Sequence, residues 1–118
     1  MDSNKTFIQL KSVLSKYEKH LYLLHNSSDN YYLTTLPKGK SVKGEFFGAV
    51  QIKKSYVAFH LMPLYYEPSL LDNISITLKN RMQGKSCFNF KEIDSTVLKE
   101  LIVLTKHAFN YYRSVDKI

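Results

Sequence analysis

Apolar residues recur at intervals of three and four along the first part of the chain, at Phe7, Leu10, Leu14, Tyr17, Leu21 and Leu24. This spacing places all six side chains on one stripe of a helix and predicts a helix from about residue 3 to residue 25. Ser3 is its predicted N-cap. The stripe could also form half of a coiled coil, but the strand patterns that follow favour packing across a sheet.

Strand patterns begin after NSSDN, residues 26–30, a cluster of turn-forming residues that is predicted to end the helix. The segments 31–36, 45–53 and 56–64 are predicted strands. Lys54 and Ser55 join the last two through a connection short enough to make them antiparallel neighbours. Between the first two lies PKGKSVKG, residues 37–44, whose polar and glycine residues indicate a mobile hairpin connection.

Alternation within the two long strands predicts which side chains share a face. One face of the first would carry Phe46, Gly48, Val50 and Ile52, and one face of the second Val57, Phe59 and Leu61. The opposite face of the second would carry Tyr56, Ala58, His60 and Met62.

The C-terminal third predicts a short helix, a strand and a long helix. Ser75 is the expected N-cap of the short helix, and Gly84 follows its end, where a left-handed residue is needed. Residues 86–90 form the predicted strand. Asp94 or Ser95 caps the last helix, whose apolar residues are spaced by 4, 3, 4 and 3 at Val97, Leu101, Leu104, Ala108 and Tyr111.

The predicted order is therefore α-β-β-β-α-β-α. Because the central strands are joined by loops too short for parallel crossovers, we expect an α+β fold with an antiparallel sheet covered by helices. The length of 118 residues is typical of one domain, spanning residues 1–118.

Composition narrows the environment in which the protein is expected to work. No apolar run approaches the roughly 20 residues that cross a bilayer, and the first residues lack the layout of a secretory signal. The single cysteine, Cys87, is incompatible with an intrachain disulfide and suits a reducing compartment. These features predict a cytoplasmic protein without a membrane partner.

The formal net charge is +7, from 17 Lys and Arg against 10 Asp and Glu. A field of that sign favours anionic ligands or polyanions but identifies none of them. Only Arg81 and Arg113 are arginines, which leaves little for bidentate recognition of phosphates or guanine edges.

The segment Gly84-Lys85-Ser86 begins like the end of a phosphate-binding loop. Such a loop needs glycine five residues earlier and must lead from a strand into a helix. Position 79 is Lys, and this segment leads from a predicted helix into a predicted strand. Gly39-Lys40-Ser41 fails the same test, because position 34 is Thr. Neither segment predicts a nucleotide site.

Cys87 and the four histidines are the candidates for chemical reactivity or metal binding. Cys87 is either a buried structural residue or a nucleophile activated by His60 or Lys85. The four histidines, His20, His25, His60 and His107, show no H-x-x-x-H pairing, so no metal site and no cofactor is predicted. His60 is the histidine expected to line a pocket, either as a functional group or as a hydrogen-bonded wall residue.

Three tyrosine pairs, at 31–32, 65–66 and 111–112, are either half-buried or available for stacking.

The chain resembles the YdhG-like family of small bacterial domains of unknown function. The resemblance covers about residues 45–113, and its strongest segments are FGAV, FHLMPLY and RMQGKSCFNF. It implies a compact α+β fold with a sheet covered by helices, and some relatives are described as frataxin-like iron chaperones. Iron centres need clustered carboxylates, whereas this chain is basic and shows no acidic ridge. The family supplies no catalytic set to transfer.

The leading hypothesis is a non-enzymatic domain that binds a small anionic ligand or a peptide in a basic, tyrosine-lined concavity. Its predicted wall comprises His60, Tyr65, Tyr66, Arg81, Lys85 and Ser86. The alternatives are a weak nucleic-acid-binding protein, a frataxin-like iron chaperone, or an enzyme that uses Cys87 with His60. The protein is expected to be a monomer or a homodimer.

Overall fold

The computed structural model describes residues 2–37 and 44–118. Most of the predicted hairpin connection, residues 38–43, lies outside the described residues. The main elements in chain order are α1 (Ser3–Ser15), β1 (Tyr22–Asn26), β2 (Asn30–Thr34), β3 (Phe46–Ile52), β4 (Val57–Leu61), α2 (Pro63–Tyr66), α3 (Ile76–Lys79), β5 (Cys87–Phe90) and α4 (Ser95–Ser114). Two 3₁₀ helices, Glu18–His20 and Pro68–Leu71, complete the described elements.

The five strands form one antiparallel sheet in the order β1-β2-β3-β4-β5. The prediction of an α+β domain with an antiparallel sheet is confirmed. The short connection between β3 and β4 is a tight hairpin, in which the backbone N–H of Lys53 donates to the carbonyl of Tyr56 at 2.8 Å.

The predicted first helix is wrong beyond residue 15, and the sheet therefore has one strand more than expected. Helix α1 ends at Ser15, a 3₁₀ turn follows, and residues 22–26 form β1 instead of a last helical turn. The N-cap is Asp2 and not Ser3, because the Asp2 carboxylate accepts the backbone N–H of Lys5 at 3.0 Å. Leu24, assigned to the apolar stripe, is 47% exposed.

The turn cluster explains this correction. The segment 27–29 connects two extended arms, and Ser27 N–H donates to the carbonyl of Asn30 at 2.9 Å. Pairing β1 with β2 satisfies the backbone groups on one side of residues 22–26 in a ladder, which a helix end followed by a loop would leave to solvent. The apolar period continues only as far as Leu21, which belongs to the buried core.

A β-bulge in β3 overturns the predicted facing of Phe46. Leu33 lies opposite Gly48 while Thr34 lies opposite Phe46, so Phe47 is the extra residue. The bulge reverses the alternation at this point. Phe47 therefore points into the core against Phe109 and Tyr112, and Phe46 joins the opposite face with Tyr32.

The helices pack on one face of the sheet. α1 lies across β3 and β4, and at Gly48 an added Cβ would come within 2.9 Å of the His60 carbonyl and 3.3 Å of Leu14. α4 packs beside α1 and against α2. The core between helices and sheet includes the fully buried Leu10, Leu14, Phe59, Phe88 and Leu101.

The predicted caps of the later helices are confirmed. Ser75 accepts the N–H of Leu78, and Asp94 accepts the N–H of Val97 at 2.9 Å. Gly84 is left-handed, with φ of 80°, but it does not cap a helix. α3 ends at Lys79, and Met82 pairs with Phe88, so Gly84 lies in the turn of a small hairpin at the edge of the sheet.

Candidate functional site

Three of the six predicted site residues come together. The rings of Tyr65 and Tyr66 in α2 meet edge to face with centroids 5.5 Å apart, and the Lys85 ammonium lies 5.7 Å from the Tyr65 ring centroid. Both tyrosines are about half exposed. Ser86 follows Lys85 and is half-buried, and its carbonyl accepts the N–H of Leu61 at 2.9 Å. This cluster is an exposed cation–π surface at the edge of the sheet.

His60 lies on the sheet face opposite the helices, where Cys87 is its direct cross-strand partner. Burial lowers the pKa of His60 below its ordinary value, and the positive charge of Lys53 lowers it further. Burial also raises the pKa of the Cys87 thiol, although Lys53 opposes that shift. A catalytic thiol needs the opposite shift, because the thiolate is the nucleophile. The environment therefore favours a protonated cysteine beside a neutral histidine.

Arg81 lies away from the tyrosine cluster and lines a cleft of about 730 Å³. The cleft volume lies within the range of small-molecule sites. Its walls come from the start of α1, from α3, from the end of β5 and from the segment that leads into α4. The lining residues are Asp2, Lys5, Thr6, Gln9, Thr77, Arg81, Phe90, Lys91, Glu92, Ile93, Asp94 and Val97.

The electrostatics of the cleft combine basic side chains with helix termini. Lys5, Arg81 and Lys91 supply three positive groups against the carboxylates of Asp2, Glu92 and Asp94. The N-terminal ends of α1 and α4 both border the cleft. A helix N-terminus carries a partial positive charge that favours anions. Asp2 and Asp94 already occupy the two caps by accepting backbone N–H groups.

The apolar side of the cleft is formed by Phe90, Ile93 and Val97, which are all buried. The Thr6 hydroxyl links α1 to the segment after β5, because it donates to the carbonyl of Lys91 at 3.3 Å. The arrangement can hold an anionic group near Arg81 and an apolar group against Phe90. Sequence reasoning missed this cleft, because its residues come from segments up to 95 positions apart. Only the capping positions Asp94 and Ser75 indicated that helix termini would lie nearby.

A second arrangement missed by sequence reasoning is a row of aromatic rings on the helix-free face of the sheet. His25 meets Tyr32 at 5.6 Å, Tyr32 stacks on Phe46 at 4.6 Å, and Phe46 meets His60 at 6.3 Å between ring centroids. The row crosses four strands. The sequence carries no signal of the bulge at Phe47, and regular alternation without it would turn Phe46 toward the core.

Two further features bear on the predicted functions. Within residues 2–37 and 44–118, no three His, Cys, Asp or Glu side chains come together in a way that could hold a metal ion. Over the same residues, no helix has the length and apolar character needed to cross a membrane.

Comparison with known proteins gives no match: no family model fits the sequence, and neither the curated proteins nor the solved structures contain a match.

Proposed function

We propose that this protein is a non-enzymatic binding domain whose ligand is a small molecule with an anionic group, or a short acidic peptide, held in the Arg81 cleft. The observation that carries the proposal is the meeting of Arg81, Lys5 and Lys91 around one cavity of about 730 Å³. An anion at that position would be stabilised by charge-assisted hydrogen bonds. Phe90 and Val97 would cover an apolar part of the ligand.

The cleft replaces the concavity expected from the sequence as the centre of the site. Arg81 belongs to it, whereas Tyr65, Tyr66 and Lys85 form a separate surface. The raised pKa of Cys87 and the lowered pKa of His60 favour a binding role over cysteine catalysis. The variants described below distinguish ligand binding in the cleft from ligand binding at the surface formed by Tyr65, Tyr66 and Lys85.

The test begins with native mass spectrometry of gently purified protein, compared with the same sample after denaturation. A mass that is lost on denaturation identifies a bound ligand by weight. The purified protein is then screened by thermal shift and isothermal titration calorimetry against mono- and dicarboxylates, phosphate esters and acidic tripeptides. The affinity of any compound that binds in this screen is then measured for the variants.

Single variants distinguish the two surfaces. Arg81→Ala is expected to weaken binding by about tenfold or more, because it removes a charge-assisted contact. Lys85→Ala probes the tyrosine surface and should leave the affinity unchanged. Lys99→Ala, an exposed lysine on α4, removes the same charge elsewhere. Loss of binding in Lys85→Ala alone would move the site to the tyrosine surface, and equal losses in all three variants would reduce the effect to net charge.

We further propose that the chain is a YdhG-like domain of the cytoplasm. The segments that carry the resemblance correspond to β3, to β4 with α2, and to the hairpin that contains β5. They are neighbours in the sheet, as expected for segments that define one fold. A frataxin-like role in iron transfer has less support, because the carboxylates lining the cleft include the two helix caps, Asp2 and Asp94.

A further inference from the structure

The helix-free face of the sheet carries a continuous band of rings, and nothing in the described part of the chain packs over it as the helices do on the other face. His25, Tyr32, Ala49, His60 and Cys87 are successive cross-strand partners from β1 to β5. Partners in an antiparallel sheet project to the same side. Phe46 joins them through the bulge and stacks on Tyr32. We call this set the ring row: His25, Tyr32, Phe46 and His60.

The ring row is partly exposed. Tyr32, Phe46 and His60 are half-buried and His25 is exposed, so ring surface faces solvent. The residues at the centre of the face, Ala49 and Ala58, are small. Both alanines are nevertheless almost fully buried, at 0% and 2% exposure, because the larger side chains around them cover the strand surface. A ligand on this face would therefore contact the surrounding rings.

The polar side chains on the strands of this face carry no negative charge. Gln51 donates to the side-chain oxygen of Asn30 at 3.2 Å, and Asn89 lies in line with Gln51 across Ala58. Among the described residues, no position in β1 to β5 is an aspartate or a glutamate. Lys53 and Lys54 are exposed in the hairpin at one end of this face, and the chain as a whole carries +7.

We propose that this face binds single-stranded nucleic acid, with bases stacked on the ring row and phosphates near Lys53 and Lys54. Stacking on aromatic rings tolerates any base, since every base has a π-face. The amides of Gln51 and Asn89 can donate to and accept from base edges. A chain with two arginines has little means of reading guanine edges in a duplex, so the surface fits unpaired bases better than a double helix.

The binding test uses fluorescence anisotropy of the full chain with a labelled single strand of about 12 nucleotides, a length within the site sizes of such surfaces. Oligothymidine and oligouridine are compared with a duplex of the same length and with inorganic polyphosphate as a competitor. Single strands are expected to bind more tightly than duplex, and polyphosphate to compete poorly. Equal binding of duplex, or full displacement by polyphosphate, would overturn the proposal, as would failure to bind at low salt.

Variants locate the contact. Tyr32→Thr and Phe46→Thr should each weaken single-strand binding by about fivefold or more, which corresponds to the loss of one stacked base. Tyr111→Ala, on α4, is the matched aromatic control, and Arg81→Ala keeps the face intact while altering the proposed cleft. Unchanged affinity in both ring-row variants would refute the assignment. If either variant fails to fold, amide chemical-shift changes in the natural protein decide between the ring row and the helical face.

Salt dependence tests the phosphate contacts. The double variant Lys53→Ala/Lys54→Ala should reduce the slope of log affinity against log salt by about 1.4, because each of two phosphate contacts to a single strand contributes about 0.7 through counterion release. Lys99→Ala/Lys106→Ala removes the same charge from exposed positions on α4 and should leave the slope nearly unchanged. Equal effects of the two pairs would show that net charge, and not this face, determines binding.

Discussion

The hydroxyl of Tyr112 in α4 donates a hydrogen bond of 2.8 Å to the backbone carbonyl of Phe46 at the start of β3. The bond joins the last helix to the sheet beside the bulge, where the regular ladder is interrupted. It also aligns the strand whose first residue belongs to the ring row. Lys117 adds a second link, since its ammonium contacts the Glu45 carboxylate at 2.8 Å and lies 5.7 Å from the Tyr112 ring centroid.

Removing the hydroxyl of Tyr112 should destabilise the fold while leaving its packing in place. Tyr112→Phe is expected to lower the free energy of unfolding by about 1–2 kcal/mol, because the Phe46 carbonyl loses its partner in a partly buried position. Urea unfolding followed by circular dichroism measures the change. Tyr111→Phe, on the same helix and half-buried, is the control and should change stability by less than about 0.5 kcal/mol. Equal losses would count against the hydrogen bond.

Local sequence patterns are sufficient to predict those elements whose structure depends only on residues close together in the chain. The long helix α4 and its Asp94 cap were predicted, since the apolar period and the cap both lie within one short segment. The tight hairpin through Lys54 and Ser55 was predicted for the same reason. The first helix was extended too far because Tyr17 and Leu21 are buried whether the chain is helical or not. A period of buried residues does not by itself distinguish a continuous helix from a helix followed by a turn.

The candidate site depended on information that the sequence does not display. Arg81 and Lys85 are four residues apart, a spacing that would bring them together on a helix. α3 ends at Lys79, however, and the chain continues into a small hairpin with Lys85 at its turn. An extended backbone on the order of 10 Å long therefore lies between Arg81 and Lys85. The bulge at Phe47 and the cleft around Arg81 both require knowledge of the pairing between distant segments.

The titration of His60 tests its burial on the helix-free face of the sheet. The pKa of His60 lies below 6.5 because burial disfavours the imidazolium and Lys53 repels it. The unfolded chain therefore binds the proton more readily, and this group's contribution to stability should fall as the pH drops below 6.5. Proton NMR of the histidine resonances should give a midpoint below 6.5, and Lys53→Ala should raise it. A midpoint at or above 6.5 would contradict the buried environment.

The buried tyrosines predict a loss of stability at alkaline pH. Burial raises the pKa of Tyr17, Tyr31 and Tyr112, and the hydrogen bond of 2.6 Å to Glu18 raises that of Tyr31 further. The folded state keeps protons that the unfolded chain releases above pH 10. The stabilisation is complete below that pH and is lost as the pH rises.

The expected slope is up to about 1.4 kcal/mol per pH unit for each tyrosine that stays protonated. Unfolding in urea between pH 9 and 11.5 measures it. Tyr31→Phe should flatten the dependence by one such contribution, while Tyr22→Phe, an exposed tyrosine in β1, should not. A stability that is flat above pH 10 would refute the prediction.

Thr105 offers a test in the stabilising direction. It is fully buried in α4, and its hydroxyl has no hydrogen-bond partner among the described residues. Thr105→Val keeps the shape of the side chain and removes a buried polar group, so the free energy of unfolding should rise by about 1 kcal/mol. Thr6→Val is the matched control, because the Thr6 hydroxyl donates to the carbonyl of Lys91 and its removal should destabilise the fold. Urea unfolding compares both variants with the natural chain. A loss of stability in Thr105→Val as large as that in Thr6→Val would mean that the Thr105 hydroxyl stabilises the core, and the prediction would be wrong.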